Sequence, residues 1–127
     1  MTASQRKRRR VLIVEDDSDL QLLLQNILKG EYEVLIADNG LEALKTLESE
    51  DHPDLIIADI MMPILDGLTM VDAIKKHRAT SDIPVIFLTA KSTPKDVIDG
   101  ISVGAKYYVT KPFKIDDLLS KIKKILK

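Results

Sequence analysis

The sequence predicts an α/β domain, a doubly wound five-stranded parallel sheet with the strand order 2-1-3-4-5. Five apolar runs of strand length alternate with five helix-like segments, and this alternation is typical of parallel sheets with right-handed crossovers. The runs at 11–14 and 55–58 contain only apolar residues, as expected of strands that helices cover on both faces. With 127 residues, of which 45% are hydrophobic, the chain is long enough to form one such domain with its own core.

The first half of the chain supplies two strands and two helices. An apolar run begins at Val11, and the helical segment that follows it stops at Gly30, a residue suited to capping a helix end. A second apolar run is followed by Asn39-Gly40, a dipeptide typical of turns. These signals predict, in chain order, a strand over 10–14, a helix over 17–29, a strand over 33–37 and a helix over 40–50.

The second half contains three strands and three helices, and prolines mark the starts of several of them. Pro53, Pro84 and Pro94 each precede or open an element, while Asp66-Gly67 is typical of a turn. The last helix has the clearest pattern, because its apolar residues from Ile115 onward recur at helical spacing and form one stripe. The predicted elements are strands over 54–58, 84–88 and 106–109 and helices over 66–78, 94–103 and 115–126.

The composition is that of an ordinary globular protein and excludes several classes. Cysteine is absent, so disulfides and thiolate metal sites are impossible. The apolar runs are far shorter than the roughly 18 residues that a membrane-spanning helix needs. No cleavable apolar segment precedes the first strand. These observations favour a cytoplasmic protein that is not bound to a membrane.

The charge is unevenly distributed near the start of the chain. The formal net charge is −1, yet residues 6–10 are all basic. Short runs of like charge are usually solvated, so we expect a flexible basic tail over residues 1–9 and a single domain over residues 10–127. Salt-dependent phosphate binding by this tail is the weaker alternative, and nucleic-acid binding through the domain itself is not expected.

Acidic residues directly follow the first and third predicted strands. Glu15 and Asp16 follow the first strand, and Asp59 follows the third. In a sheet of this order these strands are neighbours, and the winding reverses between them, which is where such folds bind ligands. Three carboxylates this close repel one another unless a cation joins them or some stay protonated. Oxygen ligands without Cys or His suit Mg²⁺.

Two further polar side chains reach the same edge of the predicted sheet. Thr89 ends the fourth apolar run, and Lys111 follows the fifth strand. A hydroxyl and an ammonium beside a metal are the groups that stabilise the negative charge of a transferring phosphoryl group. One of the carboxylates could then act as the nucleophile and form an acyl phosphate.

These motifs resemble one known family. The pieces are Glu15-Asp16-Asp17, Asp59 with Met62-Pro63 and Asp66-Gly67, Thr89-Ala90, and Lys111-Pro112-Phe113. Together they resemble the receiver domain of two-component response regulators, the CheY-like family, over residues 10–126. The resemblance implies a signalling switch that catalyses only its own phosphorylation and dephosphorylation and is not otherwise an enzyme.

The resemblance implies a metal site and a phospho-acceptor. Asp59 corresponds to the aspartate that receives a phosphoryl group from the phosphohistidine of a sensor histidine kinase or a phosphotransfer protein. Asp16 corresponds to a direct Mg²⁺ ligand, and Glu15 to a ligand that acts through water. The main-chain carbonyl of Met61 is expected to complete the protein's share of the coordination.

The resemblance also implies a switch. Lys111 is expected to pair with Asp59 and then with the phosphoryl group, and the Lys111-Pro112 bond is expected to be cis. Thr89 corresponds to the hydroxyl that moves toward the phosphoryl group, and Tyr108 to the aromatic residue that rotates inward. The surface of the fourth helix, last strand and last helix would then change and control a downstream protein or output domain, in a monomer or a phosphorylation-dependent dimer.

Other interpretations of the sequence remain. The domain could be an interaction module that works without phosphorylation. A Mg²⁺-dependent phosphohydrolase is disfavoured, because Met61 occupies the position at which such enzymes carry a second acid. Asp51 and Asp54 are expected to be structural residues near the third strand, and His52 and His77 to be solvated rather than catalytic. Gly100 and Gly104 do not match a phosphate-binding loop.

Overall fold

Five parallel strands form one sheet in the order β2-β1-β3-β4-β5 in the computed structural model, which describes residues 8–127. The predicted fold class and strand order are therefore confirmed. The strands are β1 (Arg10–Val14), β2 (Glu33–Ala37), β3 (Leu55–Ala58), β4 (Val85–Thr89) and β5 (Tyr107–Thr110). The helices are α1 (Ser18–Leu28), α2 (Gly40–Thr46), α3 (Gly67–Lys76), α4 (Pro94–Val103) and α5 (Ile115–Ile125).

Helices cover both faces of the sheet, and each face has its own apolar cluster. Successive side chains of a strand point to opposite faces, so Leu12 belongs to one cluster and Ile13 to the other. Residues of α2 and α3 join the cluster of Leu12, while residues of α1 and α5 join that of Ile13. The strands between them are buried on both sides, which explains their continuous apolar sequences.

The register of the three strands β2, β1 and β3 aligns their carboxyl ends. Val14 lies level with Ala37 on one side and with Ala58 on the other. The next residues continue the ladder, since Glu15 N donates to Ala37 O at 3.1 Å and Asp59 N donates to Val14 O at 3.0 Å. Glu15 and Asp59 therefore emerge side by side at one edge of the sheet.

Several boundaries differ from those predicted. The helix predicted over 40–50 ends at Thr46, because the segment 48–51 contains only polar residues and has no apolar side chain to hold it against the core. The helix predicted over 66–78 ends at Lys76. The strands β4 and β5 each end one residue later than predicted, since Thr89 pairs with Thr110 beyond the apolar runs.

Side-chain caps fix the starts of four helices. Asp17, Asn39, Asp66 and Thr93 each accept a hydrogen bond from a backbone N–H in the first turn of α1, α2, α3 and α4 respectively. The dipeptides 39–40 and 66–67, predicted as turns, therefore begin helices. Such side chains satisfy N–H groups that have no partner within the helix.

The predicted basic tail lies mostly outside the described residues, which start at Arg8. Within the described part, Arg8 Nη1 donates to Lys29 O at 2.7 Å, and Arg9 Nη1 lies 3.5 Å from Asp54 Oδ1. A domain boundary at residue 10 stays a prediction. Among residues 8–127, no helix has both the length and the apolar character required to cross a bilayer.

Candidate functional site

Three carboxylates meet at the edge of the sheet where β1 and β3 end. Glu15, Asp16 and Asp59 each offer an oxygen, and these oxygens all lie within 4.8 Å of one another. Glu15 is 3% exposed and Asp59 is 7% exposed, whereas Asp16 is open to solvent. The structure thus brings together the three acidic residues that the sequence singled out.

Lys111 joins two of these carboxylates. Its Nζ donates to Glu15 Oε1 at 2.9 Å and to Asp59 Oδ2 at 2.8 Å. The main chain of Lys111 is held at the same edge, because its N–H donates to Thr89 O at 2.8 Å. The Lys111-Pro112 peptide bond is cis, as predicted.

Backbone N–H groups hold the remaining carboxylate oxygens of the buried pair. Glu15 Oε2 accepts from Asp17 N at 3.1 Å, and Asp59 Oδ1 accepts from Met61 N at 3.1 Å. In each buried carboxylate, one oxygen therefore accepts a hydrogen bond from Lys111 and the other accepts one from the backbone N–H two residues later in the chain. This arrangement fixes the orientation of both groups before any ligand arrives.

Burial and charge shift the pKa values of this cluster. Burial raises the pKa of Glu15, and hydrogen bonds from Lys111 and Asp17 oppose the shift only in part. Burial on its own would lower the pKa of Lys111, but its hydrogen bonds to Asp59 and Glu15 outweigh burial and raise it. Lys111 is therefore a fixed positive charge beside a larger number of acidic groups.

The donor set fits a hard divalent cation. Within residues 8–127, this is the only group of three or more candidate ligands close enough to hold one ion, and all its donors are carboxylate oxygens. Such oxygens suit Mg²⁺, Mn²⁺ or Ca²⁺ rather than softer metals. One ammonium cannot neutralise three carboxylates, so the surplus negative charge also favours a cation.

Thr89 and Tyr108 approach the main chain of Lys91 from two directions. The hydroxyl of Thr89, which is 0% exposed, accepts a hydrogen bond from Lys91 N at 3.3 Å. Tyr108 Oη donates to Lys91 O at 2.6 Å. The loop between β4 and α4 therefore connects the two predicted switch residues. Tyr107 packs with the opposite apolar cluster.

The other acidic and histidine residues considered in the sequence lie away from this cluster. Asp51 Oδ2 pairs with Arg10 Nη1 at 2.8 Å, and Asp54 Oδ2 accepts from Arg10 N at 2.8 Å. His52 Nε2 hydrogen-bonds to Leu47 O at 3.0 Å. Since Arg10 begins β1, these residues lie at the opposite edge of the sheet, and the structural role predicted for the two aspartates is confirmed.

Two residues that support the site were missed in the sequence. Gln21 Nε2 donates to the main-chain oxygen of Glu15 and to Asp38 Oδ1. A Cβ on Gly67 would collide with the main-chain oxygen of Asp59 and lie 2.8 Å from Ile60 Cα. Gly67 was noticed only as part of a turn and of the family motif, without its contact with Asp59, and a glutamine in α1 carries no signal of a tertiary partner.

A model of the family described as the response regulator receiver domain matches residues 11–123. The chain belongs to this family. A probable transcriptional regulator, ycf29 of Pyropia yezoensis, is 44% identical over 118 residues, which cover 92% of this chain and 53% of that protein. A crystal structure of a response regulator from Chloroflexus aurantiacus is 36% identical, with a TM-score of 0.88 over 94% of this chain and 98% of that chain.

A second solved structure bears on the metal site. The Mn²⁺-bound form of response regulator Rcp1 is 29% identical and has a TM-score of 0.77, covering 92% of this chain and 91% of that one. The receiver domain spans about half the length of most of the curated relatives it matches, and 9% of histidine kinase P4 of Formosa agariphila. Receiver domains of this family are signalling switches rather than metabolic enzymes, and they interact with histidine kinases and output domains.

Proposed function

We propose that this receiver domain accepts a phosphoryl group on Asp59 from the phosphohistidine of a sensor histidine kinase or phosphotransfer protein. The observation that carries the proposal is the environment of that carboxylate. Asp59 is nearly buried, hydrogen-bonded to Lys111 and Met61 N, and within reach of two more carboxylates. An oriented carboxylate beside a fixed cation is suited to nucleophilic attack on phosphorus.

The proposed transfer forms one bond and breaks another. A carboxylate oxygen of Asp59 attacks phosphorus, an O–P bond forms, and the P–N bond to the donor histidine breaks with its electron pair leaving on the imidazole nitrogen. Lys111, released from part of its pairing with Asp59, would contact a phosphoryl oxygen. Later attack of water on phosphorus returns the carboxylate and inorganic phosphate, so the domain would catalyse only its own phosphorylation and dephosphorylation.

We propose Mg²⁺ as the ion that this reaction requires. Glu15, Asp16 and Asp59 would hold it, together with the main-chain carbonyl of Met61. When bound, a divalent ion would offset the charge that the carboxylates and the phosphoryl oxygens bring together. The carboxylate donor set and the Mn²⁺ bound to the related Rcp1 support this proposal.

The proposed output is a change at the surface formed by α4, β5 and α5. A phosphoryl group on Asp59 would attract the hydroxyl of Thr89, which now accepts from Lys91 N. The loop at Lys91 would then shift, and the Lys91 carbonyl that accepts a hydrogen bond from Tyr108 Oη would move with it. The covalent group supplies the bias between two states, and a downstream protein or output domain, or a second copy of the domain, would read the changed surface.

The test is phosphorylation by acetyl phosphate with Mg²⁺, followed by intact mass. The wild type should gain the mass of one phosphoryl group, and Asp59→Asn should gain none. Asp72→Asn, which changes a half-exposed carboxylate of α3 that pairs with Lys76, should behave as the wild type. Labelling of Asp59→Asn to the wild-type level would contradict the proposal. Full binding of an output partner by Asp59→Asn would instead favour the interaction module that needs no phosphorylation.

A further inference from the structure

Gly100, in the middle of α4, faces the ring of Tyr108 at very short range. A Cβ placed on Gly100 would lie 2.6 Å from Tyr108 Cδ2 and 2.6 Å from Cε2, and 3.2 Å from Phe87 Cδ2. Gly100 itself is buried. The space that a side chain would fill at this position is therefore occupied by the tyrosine ring.

Two other contacts hold the ring of Tyr108 where it is. Its hydroxyl donates to Lys91 O at 2.6 Å, and its ring meets that of Phe87 edge-on, with centroids 6.1 Å apart and an interplanar angle of 64°. Edge-on aromatic pairs in this range are attractive. The ring is thus enclosed by α4 on one side, Phe87 of β4 on another and the loop at Lys91 beyond its hydroxyl.

Glycine at this position is unfavourable for the helix itself. In a helix interior glycine is less favourable than alanine, because it loses more backbone freedom on folding. The described backbone of Gly100 needs no positive φ, in contrast to Gly104 at the end of α4, with φ 124°. Conformation therefore does not require glycine at position 100, whereas the approach of the ring does.

We propose that Gly100 is a positioning residue for Tyr108. Because Gly100 has no side chain, the tyrosine ring can lie against α4 with its hydroxyl on Lys91, and we call the space that the ring occupies at Gly100 the seat. Any larger residue at this position drives the ring toward solvent. This inference rests on the proposed function only where it calls Tyr108 a switch. The ring already packs inward against the apolar cluster of Leu12 in the unphosphorylated fold, so phosphorylation would favour an orientation that the seat allows rather than create it.

The consequence for signalling follows from the main chain of Lys91. Its N–H reaches Thr89 Oγ1 and its carbonyl accepts from Tyr108 Oη, so the ring and the threonine are connected through one residue. The size of the side chain at position 100 then sets the fraction of molecules with the ring inward. A domain with a larger residue at position 100 shows a smaller structural change at the surface of α4, β5 and α5 after phosphorylation.

A double-mutant cycle tests the seat without any phosphoryl group. Gly100→Ala, Tyr108→Ala and the double variant are compared with the wild type by urea denaturation. In the Tyr108→Ala background, alanine at position 100 should raise the denaturation midpoint, since the two closest contacts, both with the tyrosine ring, are gone and the gain in helix propensity outweighs the looser approach to Phe87. In the wild-type background it should raise the midpoint less or lower it. An equal shift in both backgrounds overturns the proposal.

Gly30→Ala is the matched control, because a Cβ there meets nothing within 4 Å. Its effect on the midpoint should be the same in the wild-type and Tyr108→Ala backgrounds. NMR then locates the ring directly: cross-peaks between the Tyr108 and Phe87 rings should be present in the wild type and in Gly30→Ala and weakened in Gly100→Ala. Unchanged cross-peaks in Gly100→Ala also overturn the proposal.

An experiment with beryllofluoride and Mg²⁺ distinguishes a failure of the Gly100 proposal from a failure of the proposed phosphorylation switch. In the wild type it should shift amide resonances of α4, β5 and α5, and in Gly100→Ala these shifts should be smaller. A wild type that does not respond at all would refute the proposed phosphorylation switch, while the cycle and the cross-peaks would still decide the seat. Equal responses of the wild type and Gly100→Ala would refute the link from the seat to signalling.

Discussion

At the scale of single residues, the charges of the acidic cluster do not balance. Glu15, Asp16 and Asp59 face a single ammonium, that of Lys111. Like charges this close raise the free energy of the folded state unless a counter-charge is present. Binding of a cation to the folded protein alone must therefore stabilise it by mass action.

We predict that Mg²⁺ raises the thermal midpoint of the wild type. A ligand at ten times its dissociation constant adds about 1.4 kcal/mol to the free energy of unfolding. Asp16→Asn should lose most of this gain while folding normally, because Asp16 is exposed. Asp72→Asn should keep the gain. Thermal melts with Mg²⁺ or with a chelator measure both, and a full gain in Asp16→Asn would argue against a role for Asp16 in binding.

Ile64, in the loop between β3 and α3, carries backbone strain. Its φ is 72°, a region that β-branched residues rarely adopt, and Leu65 N donates to Pro63 O at 2.7 Å across it. The side chain is 74% exposed, so packing within the domain does not compensate for the strain.

Ile64→Gly should therefore stabilise the fold. Strain of this kind costs of order 1–3 kcal/mol, and the greater freedom of glycine in the unfolded chain offsets roughly 0.5–1 kcal/mol of the relief. We expect a net gain of about 1 kcal/mol in the free energy of unfolding, measured by urea denaturation. The control is Ile98→Gly, an exposed isoleucine of α4, which should destabilise. A loss of stability in Ile64→Gly would contradict the assignment of strain.

At the scale of elements, helix caps carry much of the local specificity. Asp66 begins α3 by accepting from Thr69 N at 2.9 Å and from the Thr69 hydroxyl at 2.9 Å. Burial on its own would raise the pKa of Asp66, but the hydrogen bonds from Thr69 and neighbouring backbone groups lower it overall. A carboxyl group whose folded pKa is depressed stabilises the protein above its unfolded pKa and loses that contribution as the pH falls through the folded pKa.

Asp66→Ala should lower the free energy of unfolding by about 1 kcal/mol at neutral pH, and the deficit should shrink below the ordinary aspartate pKa of about 3.9. Asp66→Asn is the matched variant, because asparagine caps equally well, as Asn39 does for α2, and does not titrate. Urea denaturation at several pH values measures the difference. A deficit in Asp66→Ala that is independent of pH would show that the carboxylate charge contributes nothing.

The elements were predictable to different degrees. The buried strands were predicted to within one residue, because a continuous apolar run is required when both faces of a sheet are covered. The second helix was predicted too long, since charged residues such as those from Glu48 onward fit a helix pattern as well as a loop. Its end depends on the loss of contact with the core, which local sequence does not encode.

The candidate site divides in the same way. Glu15, Asp59 and Lys111 follow strands, and the order of a parallel sheet brings strand ends together, so topology predicted their meeting. The ring of Tyr108 against Gly100 was not predicted, because it joins a strand to a helix through tertiary packing. The hydrogen bond from Gln21 to Glu15 was missed for the same reason.

At the scale of the whole molecule, the two ends of the parallel strands have different roles. The carboxyl ends of the strands carry the acidic cluster, whereas the opposite edge carries a network around Arg10. Its guanidinium pairs with Asp51 and Glu33 at 2.8 and 3.0 Å, and its side chain is 15% exposed. The five residues of β1, at roughly 3.3 Å each, separate this network from the candidate site.

Arg10→Met should therefore destabilise the domain without changing its chemistry. Loss of a partly buried partner leaves acidic groups uncompensated, and we expect a loss of about 2 kcal/mol, below the value for fully buried pairs. Arg9→Met is the control and should change little, since the Arg9 side chain is half exposed and its contact with Asp54 is long, at 3.5 Å. Urea denaturation measures stability, and labelling by acetyl phosphate at low temperature should match the wild type. Slower labelling of folded Arg10→Met would show that the two edges communicate.

The loop between β4 and α4 has a consequence for how related proteins can diverge. Thr89 and Tyr108 both bind the main chain of Lys91, while the Lys91 ammonium points to Asp96 at 3.9 Å. Every amino acid except proline offers the same amide and carbonyl groups. Duplicated copies of this domain can therefore change the side chain at position 91 and still inherit both internal hydrogen bonds.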